Sequence, residues 1–341
     1  MAISILARAP TRIDLSGGTL DLWPISNLLE KKATINIAID IFAQAKLQTN
    51  DSSSYQIKST DQDIVISGNY LDITTSSQLS LLSEIIKNFW DPELPAFSLE
   101  TTAKSPQGAG LGGSSALAVA TLGALLQLRN HFKEPKKLSR THLVKFCQNI
   151  ESKVIHSPTG SQDYWAAVQG GCNVLTYEHL APETHTSTCD FINKLYKHII
   201  VCYSGQSRNS SLNNWQVYKN VFNKDKLTLK ALERIGSLSQ NCATSLANQE
   251  LEQMLEYSRL EWEQRLELWP DVETERTREI HNMAIEQGAW FTRVCGAGGG
   301  GCMIILCPAE DKERISKVLQ QNNVNILSAE IAKNGLEISE Q

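Results

Sequence analysis

The chain has 8 cysteines but no Cys-x-x-Cys pair, and it lacks any concentrated basic run. Scattered thiols without paired spacing disfavour a zinc site and fit buried residues in a reducing compartment. A net charge of -5 argues against a nucleic-acid surface. Also missing is an apolar run of membrane-spanning length, and Met1-Ala-Ile-Ser-Ile-Leu-Ala-Arg8 lacks the charged and apolar regions of a secretory leader. These absences leave the expectation of a cytoplasmic protein with neither a membrane nor a nucleic-acid partner. Internal repeats and low-complexity segments are absent as well. What is present is ordinary for a globular protein: 341 residues, 41% hydrophobic and 20% charged, enough for two domains or one large α/β unit.

Hydrophobic periodicity predicts strands over 3–9, 35–48, 55–59 and 97–102 and a helix over 79–90 that Asp91-Pro92 stops. Further helices are expected over 140–154 and 163–168, and strands over 173–177 and 198–203. The polar stretch 178–190 reads as irregular and places a domain boundary near residue 185, dividing the chain into 1–185 and 186–341. The second part reads as helices over 227–247, 251–266, 274–287 and 310–320, with strands over 289–294, 302–307 and 325–331. An α+β sandwich follows for the second half, and the two halves of the chain would share a cleft.

Ser105-Pro-Gln-Gly-Ala-Gly-Leu-Gly-Gly-Ser-Ser-Ala116 joins the strand ending near 102 to an apolar helix. Gly108, Gly110, Gly112 and Gly113, with Ala109 and Leu111 between them, let the backbone approach a ligand closely. The helix behind them offers unpaired N–H groups and a positive dipole end, a seat for phosphate. It is not a Walker A loop, because Ser114 stands where that motif has lysine, so a cation must come from elsewhere. Ser114 or Ser115 as a plain helix cap in a glycine turn is the simpler alternative.

Three other groups share this problem. Cys295-Gly-Ala-Gly-Gly-Gly-Gly-Cys302 precedes an apolar strand and reads as a tight turn supporting the first loop, or as a hairpin bend. Polar turn residues in Ser157-Pro-Thr-Gly-Ser-Gln-Asp163 put Asp163 at a helix start, where backbone donors keep a carboxylate ionised. Glu151 lies on the preceding helix, so one carboxylate could hold Mg²⁺ while the other meets a substrate hydroxyl; a bare cap and a solvated helix residue are the plainer readings. In Arg8-Ala-Pro-Thr-Arg-Ile-Asp-Leu-Ser-Gly-Gly-Thr-Leu-Asp21, Arg12 could supply the missing cation and Asp21 could bind a polyol. Structurally, Gly17-Gly18 could be only a turn and Asp14 its cap. Phe89 and Trp90 are candidates for holding an aromatic base or for core packing.

Taken in this order, the groups resemble the GHMP kinases, over 7–306. The most specific marker is Gly108-Ala-Gly-Leu-Gly-Gly-Ser-Ser-Ala116, supported by the glycines from Gly296 to Gly301. The resemblance implies a two-domain α+β fold, with an N-terminal domain like ribosomal protein S5 domain 2 and a ferredoxin-like C-terminal domain. ATP and a small-molecule substrate would bind between them, and a homodimer is compatible with it. It implies that Gly108, Ala109, Gly110, Leu111, Gly112, Gly113, Ser114 and Ser115 cradle the triphosphate and that Ser115 and Glu151 associate with Mg²⁺. Asp163 would act as base beside Arg12. Asp21, Gly17, Gly18, Gln162, Arg208 and Gly298 would meet the acceptor, and Arg293 an anionic group nearby.

Within the family, Arg12-Ile-Asp-Leu-Ser-Gly-Gly-Thr-Leu-Asp21 and Gly160-Ser-Gln-Asp-Tyr-Trp-Ala-Ala-Val-Gln-Gly-Gly171 look like the sugar-1-kinase branch. The pattern is similar to bacterial D-glycero-D-manno-heptose 7-phosphate kinases, then to L-fucokinase. It departs from the heptose pattern at Thr19 and Leu20, where that has glycine and threonine, and at Ser161, where that has lysine. The anomeric hydroxyl of a sugar or sugar phosphate is thus the implied acceptor. An ATP-independent sugar sensor should have lost Asp163, Glu151 or Ser115, and all are present. A decarboxylase of the mevalonate branch is disfavoured by Asp21 and Gln162.

Overall fold

The computed structural model describes residues 2–177, 183–187, 190–207 and 211–341. Strands β1 (Ser4–Ser16) and β2 (Ala33–Thr49) pair antiparallel along most of their length, with α1 (Ile25–Leu28) in the connection. The hairpin of β3 (Tyr55–Ser59) and β4 (Ile64–Gly68) leads into α2 (Tyr70–Thr75) and α3 (Ser80–Phe89), then β5 (Phe97–Ala103). After these come α4 (Gly113–Phe132), α5 (Arg140–Ile155), α6 (Gln162–Gln169), β6 (Cys172–Thr176) and β7 (Glu183–Ser187). The rest of the chain forms α7 (Asp190–Tyr196), β8 (Ile199–Tyr203), α8 (Ser211–Phe222), α9 (Lys226–Ala247), α10 (Leu251–Leu268) and α11 (Glu275–Glu286). It closes with β9 (Phe291–Val294), β10 (Cys302–Leu306), α12 (Lys312–Gln321), β11 (Asn325–Leu327) and β12 (Glu337–Glu340).

One sheet has the order β12-β1-β2-β5-β3-β4, with β6 also on β2 and β7 on β6; the other has the order β11-β8-β10-β9. This is the expected α+β arrangement, and the last strand returns to the first sheet. Local patterns explain the elements. In β3 the inward Tyr55, Ile57 and Ser59 alternate with exposed Gln56 and Lys58, the signature of a sheet covered on one face. β8 and β10 are apolar at nearly every position because both faces are covered. Ile199, Val201, Ile304 and Leu306 enter one core, while Ile200, Cys202, Met303 and Ile305 enter the other.

Helix α4 is apolar all round and buried from Ser115 to Leu125, packed on β1 and β2 and against α5 and α6. β1 contributes Ile5, Ala7 and Ala9 to the core under α4, and Ile13 and Leu15 to the core shared with the second sheet. The first glycine loop therefore sits where the two cores meet.

Elements α1, β4, α2, α7 and β12 are additional to those expected, and β11 is shorter than the expected strand 325–331; two further differences have clear physical causes. β7 occupies part of the stretch read as irregular: Thr184 and Thr186 favour extended backbone, and pairing with β6 supplies what apolar alternation does not. α8 has no counterpart in the expected elements. Its Val217, Tyr218 and Val221 pack with Leu20, Leu22, Ile25 and Leu232, long-range partners that outweigh the modest helix propensity of β-branched and aromatic residues. Among the described residues no helix is long and apolar enough to cross a membrane.

Candidate active site

The glycine loop turns through residues with positive φ, Gly108 at 67°, Gly110 at 73° and Gly112 at 75°, the last being the residue before α4. At Gly112 the side-chain position is also blocked: a Cβ would lie 3.0 Å from Asp163 Cβ and Cγ. The missing side chain thus lets the α4 N-terminus and Asp163 approach each other across a cavity of about 820 Å³. Residues 105–115 line that cavity together with Arg12, Asp21, Glu151, Gln162 and Asp163.

Arg12 is the cation that the fold brings to the glycine loop. Its Nη2 lies 2.5 Å from Asp163 Oδ1, its Nη1 donates to the Gly110 carbonyl, and its backbone N–H donates to the Leu111 carbonyl at 2.9 Å. Burial works against the guanidinium charge, but Asp163 and Asp14 outweigh it and hold the pKa above the usual arginine value. Asp163, in the first turn of α6, remains about a quarter exposed and faces the cavity. A cation fixed on both the loop and the carboxylate holds their spacing.

Glu151 projects from α5 to the start of α4. It accepts from Ser114 Oγ, from Ser115 Oγ at 2.9 Å and from Tyr164 Oη. Burial raises its pKa; these three hydroxyls oppose the rise and Asp163 adds to it. A buried carboxylate balanced only by hydroxyls suits an incoming cation. Mg²⁺ is usually held by one or two protein oxygens together with phosphate and water, and Ser115 and Glu151 match that donor set. Tyr164 was not expected from sequence; its place directly after Asp163 in α6 was the available signal.

Asp21 sits at the other side of Asp163. Its Oδ2 accepts from the Gln162 backbone N–H at 3.0 Å and its Oδ1 from that of Thr19 at 3.2 Å. Burial pushes its pKa up to about 6, the Gln162 bond opposing the shift. Thr19 adopts φ 94°, a backbone region that favours the glycine of the heptose kinase pattern, so the departure at this position carries strain. Gln162 lines the cavity and its Oε1 is buried without a hydrogen-bond partner.

The second glycine run supports the first. Cys302 N–H donates to the Ala109 carbonyl at 2.6 Å, and a Cβ on Gly301 would fall 2.6 Å from the same oxygen. Gly296 N–H donates to Asp14 Oδ1 at 2.9 Å. Asp14 is not a turn cap but a fully buried anion, with Arg293 Nη2 at 3.4 Å and Arg265 Nη1 at 3.5 Å. Although burial raises its pKa, Arg293, Arg12 and Arg265 bring it below the usual carboxylate value. Arg293 also pairs with Glu261 at 2.9 Å and is wholly buried, so it braces the fold and does not face an acceptor.

Other expected positions fall outside the cavity wall. Gly298 packs on Val272, and from this run Gly296 and Ala297 are the residues lining the cavity. Gly17 packs against the Ala33 carbonyl, and Gly18 lies by Arg265 and Asp14. Trp90 stacks on Tyr70 with centroids 4.1 Å apart, and Phe89 packs against the core, so neither lines the cavity. Arg208 lies outside the described residues. The seven described cysteines are free and buried, and burial pushes the Cys295 thiol up to about 12, which removes it as a nucleophile.

Comparisons with known proteins agree with this geometry. The models for the GHMP kinases N terminal domain and the GHMP kinases C terminal domain match residues 80–171 and 242–325. The chain is 22% identical to the D-glycero-alpha-D-manno-heptose 7-phosphate kinase of Campylobacter jejuni, covering 98% of each protein. It is 26% identical to the mevalonate kinase of Pyrococcus abyssi, again over 98% of each. A D-glycero-D-manno-heptose 1-phosphate kinase structure from Bacteroides thetaiotaomicron superposes with a TM-score of 0.75 at 18% identity, over 98% of both chains. With both domain models matched, and with the two glycine runs joined at one cavity, the chain belongs to the GHMP kinases and is a phosphotransferase.

Proposed function

We propose that the chain transfers the γ-phosphoryl group of ATP to the anomeric hydroxyl of a sugar, with Mg²⁺, and that D-glycero-D-manno-heptose 7-phosphate is the first acceptor to test. The observation that carries this is the Arg12–Asp163 pair facing the glycine loop, with Asp21 beside it. The loop amides and the α4 N-terminus would bind the phosphates. Asp163 would orient the acceptor hydroxyl and take its proton as that oxygen bonds to the γ-phosphorus and the bond from phosphorus to the ADP oxygen breaks. The anomeric hydroxyl is more acidic than an ordinary alcohol, so an ionised carboxylate suffices. Arg12 would hold Asp163 in place and stabilise charge on the migrating group. Ser115 and Glu151 would hold Mg²⁺, which supplies charge neutralisation on the phosphates.

A second reading, an unphosphorylated sugar as acceptor, is favoured by one observation. Among the described residues lining the cavity Arg12 is the one cation, it is already paired with Asp163, and Ser161 stands where the heptose pattern has lysine. ADP release measured with heptose 7-phosphate, fucose, galactose, mannose and mevalonates separates the readings. ADP with an anomeric phosphosugar is expected. ADP with CO₂ would indicate a decarboxylase, and no ADP with any acceptor would indicate a sensor; either result contradicts the proposal.

A further inference from the structure

Next to the transfer cavity lies a second chamber of about 1000 Å³, and Asp21 and Thr159 line both. Its walls are aromatic: Trp23, Trp165, Tyr177, Trp215, Tyr218 and Phe222. Trp215, Tyr218 and Phe222 form a ladder along α8, with ring centroids 6.2 and 6.0 Å apart. Tyr218 Oη donates to the Trp23 carbonyl and so ties the ladder to the loop after Asp21. Trp23 is 62% exposed, Trp215 48% and Phe222 63%. Three large aromatics left in water around one chamber are costly unless something covers them.

A second feature indicates a ligand. Trp165 is 3% exposed and lines the chamber, yet its Nε1–H has no hydrogen-bond partner. A buried indole N–H normally finds an acceptor, and a small shift of the ring that opens Nε1 to the chamber on binding would let a bound oxygen supply one. The basic side chains around the chamber, Lys145, Lys153 and His156, are all exposed, and Lys153 is engaged by Glu84 at 2.7 Å. They do not form a buried array able to hold a phosphate. Aromatic faces, an orphan donor and a connecting carboxylate instead suit a pyranose, which offers an apolar C–H face and hydroxyl oxygens.

We propose that this chamber is the subsite for a second, uncharged sugar ring, so that the acceptor is a reducing disaccharide. Its reducing ring lies by Asp21 and Asp163, and its other ring lies against Trp215 and Tyr218 and accepts from Trp165 Nε1–H. The inference rests on the sugar-kinase reading and selects its unphosphorylated branch.

The test measures kcat/KM for a panel of reducing disaccharides, lactose and cellobiose included, against their reducing-end monosaccharides and heptose 7-phosphate. The best disaccharide should exceed its monosaccharide about tenfold, and Trp215→Ala should lower that ratio by a similar factor. Trp165→Phe, which keeps a ring but removes the N–H, should lower it about fivefold. Monosaccharides or heptose 7-phosphate as best substrates, with ratios unmoved by Trp215→Ala, would overturn the subsite. So would sedimentation showing a dimer that Trp215→Ala dissociates. If no acceptor yields ADP, the kinase reading fails separately. Quenching of tryptophan fluorescence by the disaccharides, lost in Trp215→Ala, then supports the chamber by itself, and its absence in the wild type contradicts it.

Discussion

Two buried charge clusters lie within a few residues of each other on β1, and they are balanced differently. Around Asp14, two arginines, Arg265 and Arg293, meet two carboxylates, Asp14 and Glu261. Around Arg12, a single guanidinium faces Asp163, with Asp21 and Glu151 also lining the cavity. Equally buried carboxylates accordingly titrate in opposite directions: Asp14 is held below its usual value, whereas Asp21 and Glu151 are pushed above theirs. Burial alone penalises all three, and the counter-charge decides the outcome. The matched cluster is a joint that locks β1, α10 and the second glycine run together. The cluster short of positive charge is the one that the proposed function assigns to a cation and a substrate.

That contrast can be broken most forcefully at Asp14. Asp14→Ala leaves Arg265 and Arg293 buried beside one remaining carboxylate, and the unfolding free energy in urea should fall by about 3–5 kcal/mol. A loss under about 1 kcal/mol would mean that the matched cluster is not a structural joint.

Asp21 tests the other side of the comparison. Its folded pKa lies above its unfolded one, so the protonated form is favoured in the folded state. Relative stability is therefore present below the unfolded value of 3.8 and lost as pH rises through about 6, on the order of 3 kcal/mol in all. Asp21→Asn removes this titration, so the variant should gain stability relative to wild type between pH 4 and pH 7.5. A difference that stays flat with pH would contradict the charge deficit.

A smaller effect is expected where the glycine runs touch. Gly301 has φ 87° and faces the Ala109 carbonyl, so Gly301→Ala should cost about 1–3 kcal/mol and displace the phosphate loop. A thermal melt together with the KM for ATP checks this: both should worsen, and an unchanged KM would separate the second run from the first.

What the sequence disclosed follows the same division. The glycine loop and the helix start at Asp163 are legible because glycine spacing, turn residues and helix boundaries are local signals, whereas the association of Glu151 with Ser115, 36 positions apart, comes only from the family resemblance. The Asp14 cluster is not legible either. Its arginines lie more than 240 positions away in the chain, and a lone aspartate after Arg12 looks like a turn cap until the second sheet is in place. Arg293, which the resemblance places near an anionic group, is wholly buried, a fact that sequence does not display. Phe89 and Trp90 had the right chemistry for a base, but Tyr55 and Tyr70 engage the Trp90 ring. The aromatic chamber is not legible in the sequence because Trp23, Trp165 and Trp215 come from three separate segments that only folding brings together.

The most direct test of the account is Asp163→Asn, assayed for turnover, ATP binding and stability in the same preparation. The substitution keeps the size of the side chain but removes the proton acceptor, so kcat should fall by ~10²- to 10⁴-fold while ATP binding changes far less; because it also strips buried Arg12 of its paired charge, the urea midpoint should fall as well. Turnover at the wild-type rate would contradict the assignment of Asp163 as the group that receives the acceptor's proton.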